Sequence, residues 1–136
     1  MTDAQNFTYD TDGNMTTFYT PDGYTATATY DAENRLRTVT YNDGAQHSYA
    51  FYYDAYGLLA KQTVDSVETR FVRDGFLCVQ ERDNSNNVDR AYVWGLNKGG
   101  GIEGLLELTE DSAHYSYLYD GKGNVSAMRR HSSLLT

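Results

Sequence analysis

A Tyr-Asp dipeptide followed by a short glycine- or asparagine-containing turn recurs along this chain, and that recurrence limits the fold more than any other feature. It occurs as Tyr9-Asp10-Thr-Asp12-Gly13-Asn14 and as Tyr30-Asp31-Ala-Glu33-Asn34-Arg35. It returns as Tyr53-Asp54-Ala-Tyr56-Gly57-Leu58 and as Tyr119-Asp120-Gly-Lys122-Gly123-Asn124. Asp10, Asp31 and Asp54 are spaced by 21 and 23 residues, and Asp74 follows 20 residues later in a degraded copy, Phe71-Val-Arg73-Asp74-Gly75. A further 46 residues lead to Asp120, with Tyr92-Val-Trp94-Gly95-Leu96 near the midpoint in place of a missing copy. The expectation is one array over 1–136 of about six units, with an irregular glycine-rich connection near 95–104.

Between the Tyr-Asp turns lies a second set: Pro21-Asp22-Gly23, Asn42-Asp43-Gly44, Asp65-Ser66, Asn84-Ser85-Asn86-Asn87 and Glu110-Asp111-Ser112. Asp-Gly between alternating segments is a strong hairpin signal, because the favoured tight turns need positive φ. The intervening runs alternate with period two. Tyr24, Ala26, Ala28 and Tyr30 fall on one face, Thr25, Thr27 and Thr29 on the other. Runs of five to eight residues rich in Tyr, Thr and Val, bounded by turns, predict about twelve antiparallel strands and no helix. The fold class is therefore all-β, a long meander of hairpins.

Composition narrows the function. The 13 tyrosines suit half-buried sheet positions, where the ring packs and the hydroxyl reaches a partner. A net charge of −8 argues against nucleic acid and anionic membranes as partners. No run of apolar residues has the length of a signal peptide core or a membrane span. One cysteine, Cys78 in Phe76-Leu-Cys78-Val79, excludes an internal disulfide and reads as a small apolar residue.

Each candidate for chemistry has a plainer reading. Asp10-x-Asp12-Gly13-Asn14, echoed at Asp120-x-x-Gly123-Asn124, has the oxygen content of a calcium loop but no later glutamate at the right distance. His47, His114 and His131 lack ligand spacing with Cys78 and fit sheet positions. Asp22 and Asp43 occupy equivalent turns, where turn duty explains them. Gly99-Gly100-Gly101 lacks the Gly-Lys-Ser/Thr ending of a phosphate loop. Tyr49, Tyr52, Tyr53, Tyr115, Tyr117 and Tyr119 could stack sugar rings, though cross-strand packing is the commoner use. No catalytic, cofactor-binding or metal-binding residue is assigned, and no cofactor is expected.

The residues of Tyr30-Asp31-Ala-Glu-Asn34-Arg35-Leu36 resemble the unit of the YD-repeat, or Rhs-repeat, family. Gly104-Leu105-Leu106 through Asn124-Val125 resembles the stretch just before that family's core region. The resemblance implies a β-sheet that spirals into a shell, which in bacterial Rhs proteins encloses a C-terminal toxin and in cell-surface relatives supports adhesion. It implies a secreted or cell-surface location as part of a larger protein. The family's self-cleaving Asp-Pro-x-Gly motifs do not occur, since the lone proline, Pro21, follows Thr20. The expectation is therefore a non-enzymatic structural segment, an open piece of a shell. Its expected partner is the remainder of a larger YD-repeat chain or a second copy pairing edge to edge, with a toxin segment or a glycan as further candidates. An adhesion module that binds glycan through Tyr52 and Tyr117 is the alternative.

Overall fold

The computed structural model describes residues 6–95 and 104–131, and among these it holds twelve strands and no helix. They are β1 (Thr8–Tyr9), β2 (Met15–Tyr19), β3 (Thr25–Tyr30), β4 (Leu36–Asn42), β5 (Gln46–Tyr53) and β6 (Leu59–Val64). There follow β7 (Val67–Asp74), β8 (Leu77–Arg82), β9 (Val88–Trp94), β10 (Leu105–Glu110), β11 (Ala113–Tyr119) and β12 (Val125–His131). Strand order in the sheet is sequence order, so each strand hydrogen-bonds to its sequence neighbours. This is the all-β antiparallel meander expected from the turns. The chain divides into two compact units, Met1–Thr69 and Arg70–Thr136.

Two main kinds of turn join the described strands. The tight hairpins use positive φ at one or both central residues: Asp65 and Ser66 at 46° and 74°, Asp111 and Ser112 at 49° and 61°, and Gly75 alone at 58°. Most of the others are wider loops built around an aspartate, taken up below.

Among the described residues no large side chain is completely buried, and the buried hydrophobics are Ala26, Ala28 and Ala113. Ala26 and Ala28 alternate with exposed Thr25, Thr27 and Thr29, as the period-two pattern predicts. Across the strands, Thr27 meets Thr40 and Thr29 meets Thr38, hydroxyl to hydroxyl, at 2.8 and 2.6 Å. On the other face Tyr41 stacks against Tyr49 with ring centroids 6.2 Å apart. With so little enclosed volume, the sheet rests on its ladders and on cross-strand pairs of this kind, each contributing a few tenths to about 1 kcal/mol.

Candidate functional site

The recurring aspartate builds its own turn. At Asp10, Asp31, Asp54, Asp83 and Asp120, Oδ1 accepts the backbone N–H groups two and four residues on, at 2.8–3.0 Å. The aspartate's own N–H donates to the carbonyl four residues on, and its carbonyl accepts from the N–H three residues on. That third residue takes a positive φ: Gly13, Asn34, Gly57, Asn86 and Gly123, between 60° and 87°. Glycine and asparagine tolerate this conformation best, which explains the sequence signature. In four of the five, Oδ2 also accepts a side-chain N–H from the fourth residue: Asn14, Arg35, Asn87 or Asn124.

Thr20 forms a smaller version, its Oγ1 accepting the Tyr24 N–H at 3.1 Å, with Gly23 at φ 88°. Pro21-Asp22-Gly23 thus belongs to the same class of turn as the Tyr-Asp sites. Asp83, which the spacing sets among the second turns, carries the complete cradle although Arg82 precedes it. Asp74 does not: it ends β7 and passes into the tight Gly75-Phe76 turn. The cradle requires an acceptor at its first position and a positive φ at its fourth; the preceding tyrosine is not part of it.

The tyrosine serves the neighbouring hairpin. Tyr30 Oη donates to the Met15 carbonyl at 2.9 Å, Tyr53 Oη to Leu36 at 2.9 Å, and Tyr119 Oη to Leu105 at 2.6 Å. The indole Nε1–H of Trp94 donates to the Cys78 carbonyl at 2.8 Å, taking the same role. Each accepting residue pairs across the strand, and the residue after it is skipped by the register: Thr16, Arg37, Val79 and Leu106 are the extra residues of β-bulges. A bulge disrupts the ladder locally, so a carbonyl beside it gains from an outside donor. Gly95, after Trp94, is confined by the same packing, because a Cβ there would stand 3.1 Å from Leu106. Cradles also touch directly: Asn14 Nδ2 donates to Asn34 Oδ1 at 2.8 Å, and the Arg35 guanidinium lies 4.8 Å over the Tyr53 ring.

This geometry speaks against a cation at Asp10 or Asp120, because both carboxylates already accept three N–H groups each. Those bonds, above all from the side chains of Asn14 and Asn124, hold both carboxyl groups below the usual aspartate range. Among the described residues no group of three His, Cys, Asp or Glu is placed to hold a metal ion. Residues 97–103 of the glycine-rich stretch lie outside the described residues.

The remaining candidates separate. Burial raises the Cys78 thiol above its ordinary pKa, and its Sγ donates to the Gln80 carbonyl at 3.4 Å. His114 Nδ1 sits 2.8 Å from Glu107 Oε1, and His131 Nε2 lies 2.9 Å from Ser116 Oγ. The last contact has the spacing of a nucleophile and its base, but no acid orients His131 among the described residues. Asp22 and Asp43 do not converge; Asp43 instead meets His47, whose other nitrogen faces Asp65. Nothing in the spacing of those three residues announces the cluster, which depends on strand register. Tyr52 carries Arg37 and Lys61 over its ring at 5.0 and 4.3 Å. It lies in the first unit and Tyr117 in the second. In the second unit, Glu81 accepts the Tyr92 hydroxyl at 2.6 Å and pairs with Arg90, which also holds Glu110. Beside it is an open cavity of about 320 Å³ lined by Leu77, Val79, Tyr92 and Trp94 among others.

The described residues therefore define a β-hairpin repeat protein whose recurring side chains are committed to turns and to ties between hairpins. Residues 9–46 match the RHS repeat family model. The tRNA3(Ser)-specific nuclease WapA of Bacillus spizizenii is 34% identical over 127 residues, covering 91% of this chain and 5% of that protein. The chain belongs to the Rhs/YD-repeat family, and it spans about one-twentieth of the length of this curated relative.

Proposed function

We propose that this chain is a non-enzymatic structural segment of a larger Rhs-type protein, contributing strands to a β-shell that encloses or presents a toxin. The observation that carries the reading is the tie between hairpins: Tyr30, Tyr53, Trp94 and Tyr119 each cap a carbonyl of the preceding hairpin. A repeat joined this way to its neighbour extends by addition of further repeats, and stability accumulates along the array. The likeness to a tRNA3(Ser)-specific nuclease, over 91% of the chain, supports the same assignment. Tyr52, one of the two tyrosines on which a glycan-binding reading rests, already packs against two cations.

On this reading the sheet edge is continued by other repeats, because an uncovered edge pairs with whatever strand it meets. The test is the mass of the native polypeptide that carries this segment in its source cells, followed by protease treatment of that intact protein. The expected result is a mass far above the 15.3 kDa of this chain, with a toxin segment that resists cleavage until the protein is unfolded. A native product near 15.3 kDa would overturn the proposal. A large protein whose toxin segment is cleaved as fast as a free peptide would remove the enclosing role.

A further inference from the structure

Both ring nitrogens of His47 face carboxylates. Nδ1 lies 2.8 Å from Asp65 Oδ2 and Nε2 lies 3.2 Å from Asp43 Oδ1. An ionised carboxylate only accepts, so both contacts are hydrogen bonds only when both nitrogens carry protons, which is the imidazolium. We infer that His47 is held as an imidazolium staple joining the β4–β5 turn to the β6–β7 turn, and that this staple opens when the ring loses its proton.

The partners are themselves anchored. Asp65 Oδ1 accepts the Ser48 N–H at 2.7 Å, and the Asp65 N–H donates to the Ser48 carbonyl at 2.8 Å. Asp43 Oδ1 also accepts the Ala45 N–H at 3.2 Å. The imidazole stacks on Tyr41 with centroids 4.7 Å apart, and Tyr49 lies beyond on the same face. Among the described residues the titratable side chains against the ring are Asp43, Asp65 and Tyr41, with Tyr49 behind Tyr41. Tyr41 is pushed up to about 12, first by its hydrogen bond with Tyr49, and so stays neutral while the histidine titrates. The bond that the ring donates to Asp65, against some desolvation, raises the His47 pKa; the same pairing lowers Asp65, and Asp43 is lowered first by the Ala45 N–H and then by the histidine.

The directions of these shifts define a pH window. A raised histidine contributes stability that is complete below its unfolded value of about 6.5 and is lost as pH rises through the folded value. The lowered aspartates contribute above their unfolded value of about 3.9 and lose it as pH falls. The staple is therefore closed from mildly acidic to near-neutral pH and opens on the alkaline side. At the other end of the same strands, the Asn14–Asn34 amide bond and the Arg35–Tyr53 contact do not involve a group that changes charge near neutral pH. A rise in pH should loosen one row of turns in the first unit and leave the opposite row intact.

The test is a ring-nitrogen NMR titration of His47 in the intact 136-residue chain, alone and as D43N and D65N. Expected are protons on both nitrogens at about pH 6.5, a pKa above the ordinary histidine value, and loss of that elevation in D65N. Amide exchange at Ser48, corrected for its intrinsic pH dependence, should speed up across the same titration. A single ring proton at about pH 6.5, or a pKa no higher in the wild-type chain than in D65N, would overturn the inference. Should D65N fail to fold, D43N and the wild-type proton count decide it.

Discussion

The Tyr53 hydroxyl donates to the carbonyl of Leu36 at 2.9 Å, across from β5 to the start of β4. Leu36 immediately precedes Arg37, the extra residue of a bulge. The relation recurs with Tyr30 and Met15, Trp94 and Cys78, and Tyr119 and Leu105. The aromatic residue that names the repeat therefore acts on the hairpin before its own.

Replacing Tyr53 by Phe keeps the ring and removes only that bond. The expected loss is about 1 kcal/mol, the typical net worth of a half-buried hydrogen bond. Tyr52→Phe is the control, because the Tyr52 ring carries its contacts to Arg37 and Lys61 and its hydroxyl makes no hydrogen bond among the described residues. It should leave the urea midpoint unchanged, whereas Tyr53→Phe should lower it. Equal midpoints for the two variants would show that the tie contributes nothing.

The cradle at Asp120 contains two glycines with opposite requirements. Gly123 has φ 86°, where a Cβ is strained, while Gly121 has no positive φ and open space within 4 Å of where its Cβ would stand. Gly123→Ala should destabilise by about 1 kcal/mol or more, and Gly121→Ala should be neutral or stabilise by up to about 1 kcal/mol through the unfolded chain. Thermal unfolding of both variants reads the difference, and a loss from Gly121→Ala as large as that from Gly123→Ala would contradict the turn geometry.

Acid should act on several cradles together. Asp10, Asp83 and Asp120 are lowered chiefly by bonds from the asparagine four residues on. At Asp31 desolvation opposes the shift and the Arg35 backbone and side-chain bonds outweigh it. Lowered carboxyl groups contribute stability above their unfolded value of about 3.9 and lose it as pH falls through the folded values. Melting temperature should therefore drop steeply below about pH 4. Because the bonds are mostly to amides rather than to charges, added salt should change that drop little; a strong salt effect would point to ion pairs instead.

Cys78 should be a slow thiol. Burial is the first cause of its raised pKa, so the thiolate fraction near neutral pH is reduced. A chromogenic disulfide reagent should react more slowly with the folded chain than with free cysteine, and the rates should converge in denaturant. A folded-state rate above that of free cysteine would mark Cys78 as activated.

Local chemistry was legible in the chain itself. Aspartate as acceptor, glycine or asparagine at positive φ, and alternation of Ala with Thr all act within a few residues, so the turns, the strands and the all-β class follow from short windows. The cradle at Asp83 was harder to read because Arg82 stands where the other cradles have tyrosine, and the one at Thr20 because a hydroxyl replaces the carboxylate. What tertiary structure alone decided are the contacts set by strand register. Tyr53 reaches Leu36 only because a bulge stands beside it, Trp94 takes a tyrosine's role only because its N–H arrives at Cys78, and His47 meets Asp43 and Asp65 only because two turns lie side by side. A one-residue slip of any of these strands would send the same side chain to the opposite face, which is why no spacing in the sequence announces them.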